Sequence, residues 1–513
     1  METVLFILCV IFSAVAFGVS TIKFLHFFQL NSYRAKIHSK WIGKNFSKWA
    51  VNLIGGALLV FLSLWDGFGA KWMYLITSAL LIPLSLPKKA KKPLVYTMRV
   101  KRLIATTAVL SVVIAAIAYN YSATCVAIGC LFLLSPGFVM ISNIINRPVE
   151  LMITNHYIND AKKLLASSDA KVIGITGSYG KTSVKYYLST LLKAKYNTLM
   201  TPESYNTPMG VVITLRSSLS ALNEVFVCEM GAKRVGEIKE ICDIVNPEIG
   251  IITSVGPQHL ETFKSLDNVK KTKFELADAL PHDGILFVNG DDENITSYIG
   301  DRKHISYSVK GNGDYNATVS CLNEKGTHFT VKTPSGEECE FATKLIGMHN
   351  VLNITGAIAV ANTMGIELAK LKGQVAKLES VPHRLELVKR GNDLIIDDAY
   401  NSNPSGTKAA LETLRCFEGM KMVITPGMVE LGSKQDELNM EFGENCAKVC
   451  DYVVLVGKHQ TQPIYNGLKK SGYPEEKIFI ANTFTEAINH AYAVNSKGER
   501  KIMLLENDLP DNY

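Results

Sequence analysis

The chain has 513 residues, too many for one compact core, and predicts about three or four domains. Its hydrophobic fraction of 47% and mean hydropathy of +0.13 are high for a soluble protein, and the apolar excess lies in the first 142 residues. The net charge of +7 comes largely from two basic clusters without acids, residues 23–48 and 88–102. This placement excludes a basic nucleic-acid-binding domain and favours a membrane protein.

Five apolar stretches precede the more polar part of the chain. They cover residues 4–22, 49–64, 72–86, 103–119 and 123–142. Each approaches the roughly 20 residues that a helix needs to cross a bilayer core, although the second and third are short and could instead form a re-entrant or interfacial hairpin. A cleaved signal peptide is not expected, because the first stretch follows Glu2 rather than a basic segment and no small-residue cleavage site closes it.

The charges between the stretches predict a topology. Five spans with the N-terminus outside would place both basic clusters, and everything after residue 143, on the cytoplasmic side. We therefore expect a multi-pass protein of the cell membrane, in contact with lipids, whose catalytic domains are cytoplasmic. No charged residue or histidine lies in the middle of a span, so an ion pathway is not expected.

The ten cysteines show no metal-site pattern. They are scattered from Cys9 to Cys450, and no pair has the CxxC spacing of a metal knuckle with histidines at ligand spacing. We expect reduced thiols, buried as small apolar side chains in a cytosolic environment.

The polar part opens with a glycine-containing turn between a strand and a helix. Residues 171–176 form a buried-strand pattern, residues 177–183 read Gly-Ser-Tyr-Gly-Lys-Thr-Ser, and a helical pattern follows to about Lys195. Such a turn presents backbone N–H groups and a helix dipole to phosphates, while Lys181 can reach the terminal phosphates and the Thr182 hydroxyl can ligate Mg²⁺. ATP and Mg²⁺ are the expected cofactors, although the strict GxxxxGK[ST] pattern is missed.

Residues 175–182, Ile-Thr-Gly-Ser-Tyr-Gly-Lys-Thr, resemble the phosphate loop of the Mur ligases and folylpolyglutamate synthetases. Further motifs follow in that family's order, over residues 155–513: Glu-Met-Gly at 229–231, Ile-Ile-Thr-Ser-Val-Gly-Pro-Gln-His-Leu-Glu at 251–261, Lys-Phe-Glu at 273–275, Gly-Met-His-Asn-Val-Leu-Asn at 347–353, His-Arg-Leu-Glu at 383–386, Asp-Asp-Ala-Tyr-Asn-Ser-Asn-Pro at 397–404 and Pro-Gly-Met-Val-Glu-Leu-Gly at 426–432. The first and sixth of these are most similar to the family members that add D-alanyl-D-alanine to UDP-MurNAc-tripeptide.

The resemblance implies an architecture. A transmembrane α-helical region, residues 1–150, would precede an α/β protein with a P-loop Mur ligase central domain, residues 155–384, and a Rossmann-like C-terminal domain, residues 385–513. A small β excursion is expected near residues 307–344, where polar and apolar residues alternate. Strands of the C-terminal domain are expected at 394–397, 422–425, 452–456 and 502–505, the last followed by a loop with acidic residues.

Site residues are carried over from the resemblance motif by motif. Catalytic roles fall to Lys181, Glu229, His259 and Lys273. The implied metal ligands are Thr182, Glu229, His259 and Lys273, the last as a carbamate. The implied ATP contacts are Thr176, Gly177, Ser178, Gly180, Lys181, Thr182, Ser183, Asn350, Asn353, Arg384 and Asp398. The implied substrate contacts are Asn206, Tyr400, Asn401 and Asn403. The alternative for Lys273 is an ordinary surface lysine in the basic run 270–273.

The implied reaction phosphorylates a carboxylate with ATP and lets an amine displace the phosphate. The expected substrates are a cell-wall peptide precursor and an amino acid or dipeptide such as D-alanyl-D-alanine; no nucleic acid is expected. Soluble Mur ligases begin with a domain that grips UDP, whereas this chain has apolar stretches there. A lipid-linked acceptor is therefore the preferred expectation, and a UDP-linked one the alternative.

Two other functions are weighed against this one. A membrane-associated poly-γ-glutamate-type synthetase would share the chemistry, but the complete 397–404 motif argues against it. A non-catalytic Mur-like scaffold or transporter subunit would not need to retain the residues for phosphate and metal. All of these are present: Lys181, Thr182, Glu229, His259 and Arg384.

Overall fold

A computed structural model describes residues 2–65, 67–87, 93–120, 123–203, 205–258, 260–399, 402–429 and 431–507. The chain divides into two compact units, Met1–His156 and Tyr157–Tyr513. In the part that the structure describes, the first unit consists of helices and the second holds two β-sheets with helices packed on them.

The helices of the first unit follow the apolar stretches. They are α1 (Glu2–Leu30), α2 (Ala35–Lys44), α3 (Phe46–Leu64), α4 (Phe68–Leu84), α5 (Met98–Asn120) and α6 (Thr124–Ala166). Among the described residues, four helices are long and apolar enough to cross a membrane: α1, α3, α5 and α6. The third predicted span corresponds to α4, which has only 17 residues.

The last helix of the first unit extends beyond the predicted span. α6 continues from residue 142 to Ala166, and Pro148 lies inside it without ending it. On this extension Glu150 receives two hydrogen bonds from the Arg102 guanidinium, at 2.7 and 3.0 Å. This paired, charge-assisted contact fixes the turn that follows the proline. The sequence pattern did not reveal the extension, because its residues are mixed polar and apolar.

Buried polar side chains in the first unit bond to one another. Asn52 on α3 donates through Nδ2 to Ser20 Oγ on α1 at 2.5 Å and to Ser135 Oγ on α6 at 2.9 Å. All three residues are fully buried. These hydrogen bonds between helices offset the cost of burying the three polar side chains.

The larger sheet of the second unit has nine strands in the order β2-β3-β1-β4-β5-β6-β7-β8-β9. They are β1 (Lys171–Thr176), β2 (Thr198–Met200), β3 (Val225–Glu229), β4 (Ile249–Ile252), β5 (Ile285–Asn289), β6 (Ile305–Ser308), β7 (Tyr315–Asn323), β8 (Gly326–Lys332) and β9 (Glu338–Thr343). The pairs from β2 to β7 are parallel, and β7, β8 and β9 are antiparallel. The last three form the β excursion expected near 307–344.

The smaller sheet has six strands in the order β10-β11-β15-β12-β13-β14. They are β10 (Glu386–Arg390), β11 (Asp393–Asp398), β12 (Met420–Thr425), β13 (Tyr452–Val456), β14 (Ile478–Ala481) and β15 (Lys501–Glu506). Among the described strands of this smaller sheet, only β10 is antiparallel to its neighbour, β11. The four strands predicted from the sequence are present as β11, β12, β13 and β15.

Helices cover both sheets. They are α7 (Lys181–Leu192), α8 (Pro208–Ser218), α9 (Glu237–Val245), α10 (Leu260–Phe263), α11 (Leu266–Asp278), α12 (Glu293–Thr296), α13 (Met348–Thr363), α14 (Leu368–Ala376), α15 (Pro404–Arg415), α16 (Gln435–Cys446), α17 (Gln462–Lys470) and α18 (Phe484–Ala493), with short 3₁₀ helices at Gly432–Lys434 and Glu475–Lys477. Apolar side chains on both faces of each sheet form the cores. The parallel strands β1, β3, β4 and β5 all end at one edge, where side chains from their carboxyl ends can meet.

Candidate functional site

The glycine loop, residues 177–180, joins β1 to α7 at the carboxyl edge of the larger sheet. A side chain at Gly177 would place its Cβ 2.1 Å from Thr253 Oγ1, and one at Gly180 would place its Cβ 2.8 Å from Asn353 Oδ1. Gly180 also has a φ of +81°, in the left-handed region that favours glycine. The two glycines therefore allow close approach to neighbouring segments at the N-terminus of α7.

Hydrogen bonds hold the glycine loop against the segment that follows β4. Ser178 N donates to Ser254 O at 2.8 Å, and Tyr179 N donates to Ser254 Oγ at 2.7 Å. Lys181 Nζ donates to the carbonyl oxygens of Gly177 at 2.7 Å and Ser178 at 3.1 Å. The lysine side chain is thus half-buried over the loop.

Glu229, at the end of β3, is the centre of a buried polar cluster. Its Oε1 accepts from Thr182 Oγ1 at 3.1 Å and from Asn206 Nδ2 at 3.0 Å. Its Oε2 lies 3.0 Å from the Nζ of Lys185. A Cβ at Gly231 would stand 2.6 Å from Asn206 Cγ, so the glycine of the Glu-Met-Gly motif makes room for the asparagine beside Glu229.

Burial lowers the pKa values of two lysines at this site, Lys181 and Lys273. Burial lowers the pKa of Lys181 to about 8, with the Glu229 carboxylate opposing and the Arg384 guanidinium adding to the shift. Lys273, on α11, is 1% exposed. Burial, and then the charge of Lys181, hold the pKa of Lys273 well below its usual range. The alternative of an ordinary surface lysine at position 273 is therefore wrong.

A second group of residues comes from the smaller sheet and the turn before it. Arg384 lies between His383 and Leu385, which have φ values of +59° and +46°. Such values are rare outside glycine, so the turn is held by its surroundings. Leu385 N donates to Asp398 Oδ1 at 3.2 Å, and His383 Nδ1 lies 2.8 Å from Asp397 Oδ2. Burial raises the pKa of Asp398 to about 6, and the charge of Arg384 opposes that shift.

A cleft of about 830 Å³ is lined by part of the glycine loop and by Arg384 and Asp398 of the second group. Its lining does not include the residues of the Glu229 cluster and its neighbours, Lys181, Thr182, Glu229 and Lys273. Its lining includes these predicted residues: Gly180, Ser183, Asn350, Asn353, Arg384, Asp398 and Asn403. Asn289, the last residue of β5, and Asp292, three residues later, also line it. Such a cleft at the carboxyl ends of parallel strands is where open α/β sheets bind ligands.

Several predicted contacts have their side-chain bonds taken up inside the protein. Asn350 accepts from Tyr187 Oη at 2.8 Å and donates to Ile346 O at 2.8 Å. Asn403 Oδ1 caps α15 by accepting from a backbone N–H at 2.7 Å. Thr176 Oγ1 donates to the carbonyl oxygen of Met230 at 3.0 Å and so ties the ends of β1 and β3 together. These three side chains hold the site in shape.

Three predicted site residues, His259, Tyr400 and Asn401, lie outside the described residues. Their assigned roles stay predictions.

Sequence reasoning missed other polar groups at the site. Lys185 is fully buried against Glu229, and its spacing of four residues from Lys181 was the available signal. His349 lines the cleft, and burial lowers its pKa to about 4, so the imidazole is neutral near pH 7. Glu506, at the end of β15, is 1% exposed and accepts from Ser402 Oγ at 2.7 Å.

Comparison with known proteins matches both parts of the second unit. Residues 175–361 match the Mur ligase middle domain, and residues 383–505 match the Mur ligase, glutamate ligase domain. A UDP-N-acetylmuramoyl-tripeptide–D-alanyl-D-alanine ligase from Escherichia coli is 35% identical over 56% of this chain and 65% of its own length. The Bacillus subtilis protein of the same name is 33% identical over 55% and 62%. The chain thus spans less than two thirds of the length of these relatives.

Solved structures agree with the sequence matches. MurF from Acinetobacter baumannii superposes with a TM-score of 0.62 and 26% identity, covering 69% of this chain and 77% of that one. MurF ligase from Thermotoga maritima, in complex with ADP, superposes with a TM-score of 0.62 and 25% identity, covering 69% and 80%. Since the middle and C-terminal domains both match, in sequence and in fold, the chain belongs to the Mur ligase family.

Proposed function

We propose that this chain is an ATP-dependent ligase that joins an amine to a carboxylate of a cell-wall peptide precursor. The observation that carries the proposal is the meeting of Lys181 and Thr182, at the start of α7, with Glu229 at the end of β3. Electrostatic stabilisation is the main requirement of phosphoryl transfer. The ammonium of Lys181 and the hydroxyl of Thr182 would stabilise the negative charges of the triphosphate and of the acyl phosphate.

The glycine loop would act as a P-loop for ATP. Its glycines leave no room for a Cβ, and Lys181 is placed one residue before Thr182 at the helix N-terminus. Asn353 and Arg384, which both line the cleft, would contact the adenine and a phosphate respectively. Asp398 would accept from the ribose hydroxyls once it is ionised. The bound nucleotide in the Thermotoga maritima relative is consistent with these roles.

The oxygen donors around Glu229 fit Mg²⁺. A carboxylate and a hydroxyl 3.1 Å apart are ligands of the kind that this ion prefers. Thr182 and Glu229 would hold the ion together with His259 and a carbamate on Lys273. When bound, the ion would supply positive charge to the phosphate oxygens.

A carbamate on Lys273 has an electrostatic rationale. The charge of Lys181 disfavours a second positive charge on Lys273, which is 1% exposed. A neutral amine is the form that reacts with CO₂. The product is a negatively charged carbamate in place of an amine that would otherwise carry a positive charge. The interaction of residue 273 with the Lys181 ammonium would then be attractive instead of repulsive.

The reaction would proceed in two balanced steps. The acceptor carboxylate attacks the γ-phosphorus of ATP, forming an acyl phosphate and releasing ADP. The neutral amine then attacks the acyl carbon, the C–O bond to phosphate breaks, and the products are an amide and hydrogen phosphate, which carries the proton that the amine loses. Asn206, beside Glu229, would face the acceptor. Tyr400, Asn401 and Asn403 would face the amine.

The domain assignment follows the same proposal. Residues 155–384 would be the P-loop domain and residues 385–513 the Rossmann-like domain, each built on one of the two sheets. The names of the relatives point to D-alanyl-D-alanine as the amine and to a UDP-N-acetylmuramoyl-tripeptide as the acceptor. We favour a lipid-linked form of the acceptor, because apolar helices stand where the family has its UDP-binding domain.

The helices of the first unit would cross the cell membrane and leave the second unit in the cytoplasm. Large apolar side chains point outward along them, with Ile54 67%, Leu64 69% and Val112 67% exposed. Soluble proteins rarely expose continuous apolar surfaces of this kind. Cysteines introduced near residues 69 and 121 should react with an impermeant reagent from outside intact cells. Reaction at position 40 or 95 would contradict the five-span topology.

Phosphate release tests the ligase proposal directly. The full-length protein in detergent is mixed with ATP, Mg²⁺, D-alanyl-D-alanine and either UDP-MurNAc-tripeptide or its lipid-linked counterpart. We expect phosphate release only when ATP, an acceptor and the amine are all present. A protein that binds ATP but releases no phosphate with any acceptor and amine pair would be a scaffold rather than a ligase.

A further inference from the structure

Lys185 is a buried charge at the site to which no role has been assigned. It lies one helical turn after Lys181 on α7 and is fully buried. Its Nζ is 3.0 Å from Glu229 Oε2 and also donates to the backbone oxygen of Glu203. A buried ammonium is unfavourable unless it is paired and hydrogen-bonded, so these two contacts are what keep it there.

The contacts of Glu229 divide between its two oxygens. Oε1 accepts from Thr182, at the start of α7, and from Asn206. Oε2 is paired with Lys185. A single carboxylate therefore connects the proposed nucleotide end of the site with the acceptor segment, which we define as residues 201–203 and 205–207.

The acceptor segment has further anchors to the same cluster. Thr201 Oγ1 accepts from Glu229 N at 3.0 Å, and Asn206 O accepts from Gly231 N at 2.7 Å. Glu203 has a φ of +40°, which residues other than glycine rarely adopt, and its carbonyl oxygen is the one that Lys185 holds. Lys185 thus contacts both the segment and the carboxylate that positions it.

We propose that Lys185 is a positioning residue that couples nucleotide binding at the glycine loop to the order of the acceptor segment. The coupling rests on the proposed function, since it assumes that the glycine loop binds nucleotide. Nucleotide bound at the N-terminus of α7 fixes Thr182 and therefore Glu229. Lys185 and Asn206, which bond to Glu229, then hold the acceptor segment in one conformation. The acceptor therefore binds a surface that is already formed. Coupling of this kind is reciprocal, so acceptor binding also favours nucleotide binding.

Amide hydrogen exchange of the full-length protein in detergent, with and without Mg²⁺-ADP, tests this role. Peptides covering residues 289–295 report on the cleft, and peptides covering residues 201–207 report on the acceptor segment. We expect Mg²⁺-ADP to slow exchange in both regions of the wild type. In Lys185→Met the protection at 289–295 should remain, while the protection at 201–207 should fall at least fivefold.

Two further variants separate charge from packing. Lys193→Met, at the exposed position directly after α7, should behave as the wild type. Lys185→Arg keeps the charge and should recover part of the protection at 201–207, whereas a space-filling role predicts that Met is tolerated better than Arg. If Lys185→Met does not fold, as judged by its melting curve, Lys185→Gln takes its place in the comparison with Lys185→Arg.

The outcomes distinguish the coupling from the proposed function. Full protection at 201–207 in Lys185→Met, or in its Gln replacement, would overturn the coupling alone. So would a wild type in which Mg²⁺-ADP protects 289–295 but not 201–207. A wild type without protection in either region would overturn nucleotide binding, and the coupling with it.

Discussion

Lys181 is the residue whose loss should affect the proposed reaction most. Lys181→Ala should lower ATP turnover by about 10²–10³, because it removes a charge directed at the phosphates. The fold should be retained, since in the described structure Lys181 Nζ donates to the loop carbonyl oxygens of Gly177 and Ser178, and the side chain belongs to none of the apolar cores. Turnover and the melting temperature are measured together. Lys193→Ala, at the exposed position directly after the same helix, is the matched control. Near wild-type turnover in Lys181→Ala would refute the assignment of the phosphate loop.

Lys273 gives a second prediction at the residue scale. If it is carbamylated, Lys273→Ala should be nearly inactive and partly restored by a short carboxylic acid such as acetate, because the free carboxylate can occupy the vacated place. Lys271→Ala, an exposed neighbour in the same basic run, should be active without rescue. A bare lysine in a crystal grown with bicarbonate, Mg²⁺ and nucleotide would count against the carbamate.

The residues that the sequence revealed are those with a local signature. Gly177, Gly180, Lys181 and Thr182 are adjacent in the chain, and their chemistry is readable from their order. The role of Lys185 depends on Glu229, far away in the chain and brought to it by the pairing of β1 with β3. Burial, which separates Lys273 from a surface lysine, is likewise a property of the packed fold.

Gly231 carries a prediction about the element that follows β3. Gly231→Ala would place a Cβ 2.6 Å from Asn206 Cγ, so the asparagine must leave its position beside Glu229. We expect the KM for the acceptor to rise about tenfold or more, while ADP affinity changes less, because Asn206 belongs to the acceptor segment and the glycine loop keeps its own hydrogen bonds. Gly373→Ala on α14, where a Cβ meets nothing within 4 Å, is the control. Equal effects on acceptor and ADP would show that the substitution disturbs the whole site.

Elements with strong patterns were predicted well, and those with mixed patterns were not. Apolar runs gave the strands at 171–176 and 422–425, and alternation gave the antiparallel end of the larger sheet. The extension of α6 to Ala166 was missed, because its polar residues pair with neighbouring helices that the sequence does not identify. β10 and β14 were missed because short, half-buried strands have weak patterns.

At the scale of the whole molecule, the open question is whether the first unit binds substrate or only tethers the enzyme. A chain that begins at residue 157 tests this, since it keeps Ala161 and Leu165, which belong to a core of the second unit. Anionic lipid phosphates attract basic residues at roughly 1 kcal/mol per charge, so losing two such contacts corresponds to about 2 kcal/mol, or roughly 30-fold.

We expect the shortened enzyme to retain its affinity for ADP. Its kcat/KM for a lipid-linked acceptor should fall about 30-fold, because the acceptor binds productively less often. Kinetics with a water-soluble acceptor should change much less, because that acceptor would make no use of the helices or of the basic clusters at 23–48 and 88–102. Both enzymes are compared in matched detergent. If their kinetics on the lipid-linked acceptor are equal, the helices serve only as an anchor, and the acceptor must be recognised by the second unit alone.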